Sequence, residues 1–207
     1  MIAADVFSMV ETASEKPCAL LWDESFLWGV MARRALLEAG LSFDLVRAQE
    51  VRRGDLARYR LLFVPGGWAS SKRAALGDTG CSEIRRFVEA GGNYLGICGG
   101  AGLATRDEIA LLSVGRKPSA RRVTSFSGGI RVSPVEHPIW RGVEKPVFSA
   151  WWPSQLTVDG PGVRVLAAYE EAQSDAVSAD VSVEEGERQG WPVLEEAYGI
   201  LLDPARL

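Results

Sequence analysis

A short apolar run, Asn93-Tyr94-Leu95-Gly96-Ile97, stops at Cys98 and is followed at once by Gly99, Gly100, Ala101 and Gly102. A chain written this way turns sharply from a strand into a helix, with a cysteine at the apex; this is the pattern of a nucleophile elbow. The apex residue of such a turn is strained, so its neighbours must be small, as Gly96, Gly99 and Gly100 are. The turn lifts the sulfur to the start of the next helix, where unpaired N–H groups and the helix dipole favour thiolate over thiol. A small buried cysteine beside a glycine-rich turn would fit the same ten residues, because buried cysteines are common. The choice between these readings depends on the residues upstream.

Upstream, Arg60-Leu61-Leu62-Phe63-Val64 is a continuous apolar run that ends in Pro65-Gly66-Gly67-Trp68. The run reads as a buried parallel strand feeding a tight loop. Turn residues follow (Gly77, Asp78, Gly80), and then Cys81 to Ala90 carries Ile84, Phe87 and Val88 at helical spacing, with Gly91-Gly92 as the stop. In a parallel sheet with right-handed crossovers, the Pro-Gly-Gly loop and the cysteine turn lie at the same carboxyl edge. Backbone N–H groups of Gly66, Gly67 and Gly99 would then face one cleft, as the donors of an oxyanion hole do. Gly100 and Trp68 are placed to line it, although Trp68 would serve equally as a lid packed on its own loop.

Earlier elements complete the alternation. Pro17 to Trp22 reads as a first strand, and Asp23 as the cap of a helix whose periodicity is carried by Phe26, Leu27, Val30, Met31 and Leu37. Ser42 to Ala48 is a second strand, and Gly54 to Tyr59 a short helix or turn. The alternation predicts an α/β fold: a doubly wound, mostly parallel, flavodoxin-like sheet with helices on both faces. Beyond about residue 106, short strands are expected over 122–126, 129–133, 147–152 and 163–169. The stretch from Glu170 to Gln189 is acidic and poor in large apolar residues, which predicts a mobile loop.

These motifs, with the phrase Phe87-Val-Glu-Ala-Gly-Gly-Asn-Tyr-Leu-Gly-Ile-Cys-Gly-Gly100, resemble the class I glutamine amidotransferase-like superfamily. Within it they look most like the group named for the N-terminal domain of some biotin-protein ligases. The resemblance is strong over about residues 17 to 105 and weaker beyond. It implies Cys98 as nucleophile and Gly67 and Gly99 as oxyanion donors. Asp23 and Glu24, at the carboxyl end of the first strand, match acidic residues that contact the elbow cysteine in related folds, and a plain helix cap is the competing role for Asp23. Biotin ligase activity is not implied, because no glycine- and arginine-rich biotinyl-adenylate loop is found.

The resemblance also implies a histidine held by a carboxylate near the domain's end, after a final glycine-bearing strand. The 207 residues contain one histidine, His137, which lies in a different motif and reads as a structural residue fixed by Pro138. Residues 1–207 are therefore expected to form a single amidotransferase-like domain that is incomplete at its C-terminus, with the final strand unaccounted for. That favours a domain binding a small molecule or a partner. A thiol hydrolase or amidotransferase acting on a small amide is the alternative if the natural chain continues, and a cysteine redox sensor is a second.

Composition bounds the rest. A net charge of −4 with 24% charged residues argues against general nucleic-acid binding. The one basic cluster, Arg116 to Arg122, reads as a solvated loop, with an anion site as the minor alternative. Three cysteines without regular spacing suggest neither a disulfide framework nor a metal site, and nothing calls for a cofactor. No signal peptide or membrane span is expected, so the cytoplasm is the default compartment. A homodimer is compatible with these features.

Overall fold

A computed structural model describes residues 17–207, which cluster into two compact units, one ending at Val114 and the other spanning Gly115–Leu207. The first unit is built on four short strands. They are β1 (Cys18–Leu21), β2 (Phe43–Val46), β3 (Leu61–Val64) and β4 (Asn93–Gly96), all parallel in the order β2-β1-β3-β4. Between them run α1 (Phe26–Glu38), α2 (Ala48–Arg52) and α3 (Ala69–Glu89), and α4 (Gly99–Leu103) follows β4.

The alternation of side chains along β1 and β3 fixes which helix covers which face. Ala19, Leu21, Leu62 and Val64 point to one side, where they pack with Val51 of α2, Leu76, Ile84 and Phe87 of α3, and Leu103 of α4. Cys18, Leu20 and Phe63 point to the other, against Ala32 and Leu36 of α1. Both faces of the sheet are thus covered, as the sequence predicts.

Two helices differ from expectation. In α1 the apolar stripe that signals the helix is not its buried face. Phe26, Leu27, Val30, Met31 and Leu37 are exposed, and the buried residues are Gly29, Ala32 and Leu36. Small residues bring this helix close: a Cβ on Gly29 would stand 3.4 Å from the ring of Trp22, just beyond β1. The turn expected at Gly77 to Gly80 is a kink inside α3, where Gly77 adopts φ 61 and ψ −178. Helix resumes on both sides of it because Leu76 and Cys81 are both buried in the same core.

The second unit is mainly antiparallel. β6 (Phe126–Pro134) pairs with β7 (Val147–Trp151), β9 (Ala167–Ala172) and β10 (Val177–Ser178), and β10 pairs in turn with β11 (Val181–Ser182). β5 (Val114–Arg116) begins at the last residue of the first unit and pairs with β8 (Leu156–Val158). The segment 170–189, expected to be a mobile loop, instead carries the end of β9, then β10, β11 and α5 (Val183–Gln189). Two local effects explain it. Ser182 caps α5 by accepting the Glu185 N–H at 3.2 Å, and Ala176, Val181 and Val183 are buried despite the acidic surroundings. α6 (Trp191–Tyr198) packs Trp191 and Leu194 against Val181 and Leu202.

The tightest contact in the first unit lies where α4 meets the loop after β3. A Cβ on Gly99 would stand 1.8 Å from the Gly67 carbonyl oxygen, and one on Gly100 1.9 Å from that of Val64. Gly102 has more room, with the nearest atom at 3.2 Å. Gly99→Val should therefore cost about 3 kcal/mol or more, because backbone must move. Gly102→Ala should change stability by no more than about 1 kcal/mol, since helix propensity offsets the crowding. Thermal melts of the two variants check this; equal melting temperatures would contradict it.

Candidate functional site

The site is assembled from three turns at the carboxyl edge of the parallel sheet. The turn after β4 carries Cys98, whose backbone adopts φ 54 and ψ −112 at the start of α4. A side chain in this region is strained by about 1–3 kcal/mol. Several bonds hold it there. Ile97 donates its N–H to the Val64 carbonyl at 3.1 Å, Gly100 to Ile97 at 2.9 Å, and Gly102 to Cys98 at 2.9 Å. The Tyr94 hydroxyl donates to the Gly100 carbonyl at 2.6 Å. Because its N–H bonds Ile97, Gly100 contributes shape to the cleft and not a donor. Cys98 is exposed, whereas Cys18 and Cys81 are buried.

The second turn is the loop after β3. Pro65 and Gly66 are buried, and a Cβ on Gly66 would meet the Trp28 ring at 2.7 Å. Gly67 has φ 113, and a Cβ there would stand 2.4 Å from the Glu24 carbonyl oxygen. Only glycine fits between this carbonyl and the elbow. Trp68 is 60% exposed at the start of α3.

The third turn, after β1, places the two acidic residues differently from each other. Asp23 does not cap α1. Its Oδ2 accepts the Ala48 N–H at 2.7 Å and its Oδ1 accepts from Arg47 Nη1 at 3.1 Å, tying the turn to the start of α2. The cap position of α1 falls to Ser25, whose hydroxyl donates to the Leu21 carbonyl at 2.9 Å. Glu24 has φ 56 and stands against the Gly67 loop through its carbonyl.

One residue of this cleft escaped the sequence reading. Lys72, in the first turn of α3, is only 1% exposed. Its Nζ donates to Ser25 Oγ at 2.7 Å and to the Glu24 carbonyl at 2.9 Å, and reaches the Asp23 carbonyl at 3.5 Å. Burial pushes the amine down to about 8, against the opposing pull of Glu24, Cys98 and Asp23. In the sequence Ser70-Ser71-Lys72-Arg73-Ala74-Ala75 this lysine looks like a solvated helix position beside another basic residue, so no local pattern marks it.

His137 lies in the second unit. Its Nδ1 accepts the Ile139 N–H at 3.2 Å and opens a one-turn 3-10 helix over Pro138–Trp140. Among the described residues, no group of three or more His, Cys, Asp or Glu could hold a metal ion, and no helix is long and apolar enough to cross a membrane.

Comparison with known proteins bears on this architecture. A glutamine amidotransferase of Thermotoga maritima has the same fold, with a TM-score of 0.52 and 16% identity over 93% of this chain and 88% of that one. In sequence, the pyridoxal 5'-phosphate synthase subunit PdxT of Desulforudis audaxviator (strain MP104C) is 32% identical over 136 residues, 59% of this chain and 67% of that protein. The chain belongs to the class I glutamine amidotransferase-like superfamily. Within it, residues 34–112 match the family described as biotin-protein ligase, N terminal.

The contrast in burial among the three thiols makes a direct prediction. Burial pushes the Cys18 thiol up to about 11 and raises that of Cys81 as well, and both are shielded from reagent. Iodoacetamide at neutral pH should therefore label Cys98 at least about a hundredfold faster than either of the others, since Cys98 is exposed while burial both shields the other two and holds them as thiols. Peptide mass spectrometry against time reads the three rates; comparable labelling of Cys81 and Cys98 in the folded protein would contradict the geometry.

Proposed function

We propose that residues 1–207 act as one amidotransferase-like domain that captures a small carbonyl-bearing molecule, in the first instance a carboxamide, at Cys98. The observation that carries this reading is the Cys98 backbone at φ 54 and ψ −112 with its side chain exposed. A cysteine serving only as a core filler would need neither the strain nor the exposure, and Cys18 and Cys81 show what that role looks like.

In this reading Cys98 Sγ attacks the carbonyl carbon. A carbon–sulfur bond forms, and the π electrons of the carbonyl move to its oxygen. The N–H groups of Gly99 and Gly67 receive that oxygen, because donors fixed in advance stabilise charge as it develops. Gly66 and Gly100 keep the floor of the cleft free of side chains, and Trp68 forms a wall. Glu24 and Asp23 shape the opposite side through the turn after β1.

Release of an amine from such an adduct requires a proton on the leaving nitrogen, and help of that kind is worth about 10²–10⁴ in rate. The only histidine of the sequence, His137, has its Nδ1 engaged by the Ile139 N–H. This supports a domain that binds and holds its ligand without sustained turnover.

A chloroketone analogue of glutamine tests the proposal. Intact-mass spectrometry should find one adduct on the wild-type chain and none on Cys98→Ala, while glutamate release from glutamine stays at background. Absence of the adduct on folded protein would contradict capture at Cys98. Steady glutamate release, lost in both Cys98→Ala and His137→Ala, would replace the binding reading with an amide hydrolase.

A further inference from the structure

Among the described residues, four buried side-chain atoms have no hydrogen-bond partner: Arg122 Nε, Ser125 Oγ, Gln155 Oε1 and Ser178 Oγ. All four belong to the second unit, and the segments that carry them meet at Phe126. Ser178 lies opposite Phe126 on β10. Ser125 precedes Phe126, and its carbonyl accepts the Ala179 N–H at 3.1 Å. On the other side of β6, Trp152 donates its N–H to the Phe126 carbonyl at 2.8 Å, and the carbonyl of the next residue, Pro153, accepts from Arg122 Nη1 at 3.2 Å. Gln155 follows two residues later. Buried polar atoms are paired as a rule, so four unpaired ones around a single strand end call for a common partner.

The charge on Arg122 says what kind of partner. This side chain is only 8% exposed, and the bond to Pro153 is the one hydrogen bond of its guanidinium among the described residues. That acceptor is a neutral carbonyl. A buried cation with no anion beside it is unfavourable, and the surrounding sequence adds to the imbalance. From Ile109 to Val135 there is no Asp or Glu, while Arg116, Lys117, Arg121, Arg122 and Arg131 are cationic. Arg131 is paired with Glu170 and Glu171 of β9; among the described residues, no ion pair is found for the other four. Burial, and then the like charge of Arg116, push the Arg122 guanidinium down from its ordinary value. A water molecule would satisfy the hydrogen bonds and leave the charge; an anion satisfies both.

We propose that Arg122 anchors a further binding site, in the second unit, for a small oxyanion of the phosphate type, either free or carried on a small molecule. The planar guanidinium has N–H groups left over from Pro153, and their fork matches the oxygens of such an ion. The Ser125 and Ser178 hydroxyls are further donors, and Gln155 Oε1 accepts the one O–H of hydrogen phosphate. A doubly charged ion with four oxygens answers more of these groups, and more of the charge, than a carboxylate does. Arg116, Lys117 and Arg121 raise the local concentration of anions at the entrance. The inference is independent of the role of Cys98.

Thermal melts of the full chain test it, in wild type, Arg122→Gln and Arg121→Gln, with ionic strength matched by chloride. In about 10 mM inorganic phosphate the wild type should melt about 3–6 °C higher than in chloride alone, the shift expected for a Kd of about 1 mM in a chain of this size. Arg121→Gln, which removes an exposed charge next door, should keep that shift, and Arg122→Gln should lose it. Phosphate strengthens apolar burial in any protein, so an equal shift in wild type and Arg122→Gln would overturn the site, as would no shift in wild type. Methyl phosphate separates the two sources: a shift equal to that of phosphate means a site open to phosphate carried on a molecule, and no shift confines the site to the free ion. If Arg122→Gln does not fold, the Arg122 Nε–H resonance is followed by ¹⁵N NMR in wild type. It should move saturably as phosphate is added, and a resonance that stays fixed would overturn the proposal.

Discussion

Everything at the carboxyl edge of the parallel sheet depends on one close approach of backbone to backbone, Gly99 and Gly100 against the carbonyls of Gly67 and Val64. A methyl group at either glycine would overlap a carbonyl oxygen. The approach lets α4 start directly above β3, and that in turn forces Cys98 into its positive-φ conformation with the sulfur outward. The strain is local and modest, about 1–3 kcal/mol. The interactions that resist it are distributed among the Ile97, Gly100 and Gly102 N–H bonds and the Tyr94 hydroxyl.

The turn after β1 is held by charge and hydrogen bonding where the elbow is held by packing. Asp23 anchors it to the start of α2, Ser25 anchors it to β1, and Lys72 reaches across from α3 to both Ser25 and Glu24. The Glu24 carbonyl meets Gly67, and Gly67 meets Gly99. A displacement at any of the three turns is therefore felt at the other two. Proteins support strained functional conformations in this way, by surrounding them with contacts that leave no alternative.

The order of the first unit was legible because buried parallel strands appear as continuous apolar runs. Leu61 to Val64 and Cys18 to Leu21 have no charged residue to blur them, and the pair Gly66-Gly67 marks the loop that follows the former. The cysteine turn was legible for the same reason: the small residues it needs are adjacent in sequence. What sequence could not show were partners brought together over long separations. Asp23 finds Ala48, and Lys72 finds Ser25, through the fold alone. Nor does periodicity say which stripe of α1 is buried, because glycine and alanine approach the sheet more closely than Phe26 or Met31 can. The segment 170–189 misled because its charge conceals a serine cap and three buried small apolar residues.

The proposed role of Gly67 and Gly99 as donors beside the sulfur is tested most directly by a crystal structure of the Cys98 adduct with the chloroketone glutamine analogue. In that adduct Sγ is bonded to the methylene that has lost chloride, and the geometry predicts the oxygen of the adjoining ketone within hydrogen-bonding distance, about 2.7–3.2 Å, of the Gly67 and Gly99 backbone nitrogens. An adduct whose oxygen points into solvent, or one that requires Cys98 to leave its positive-φ conformation, would contradict it.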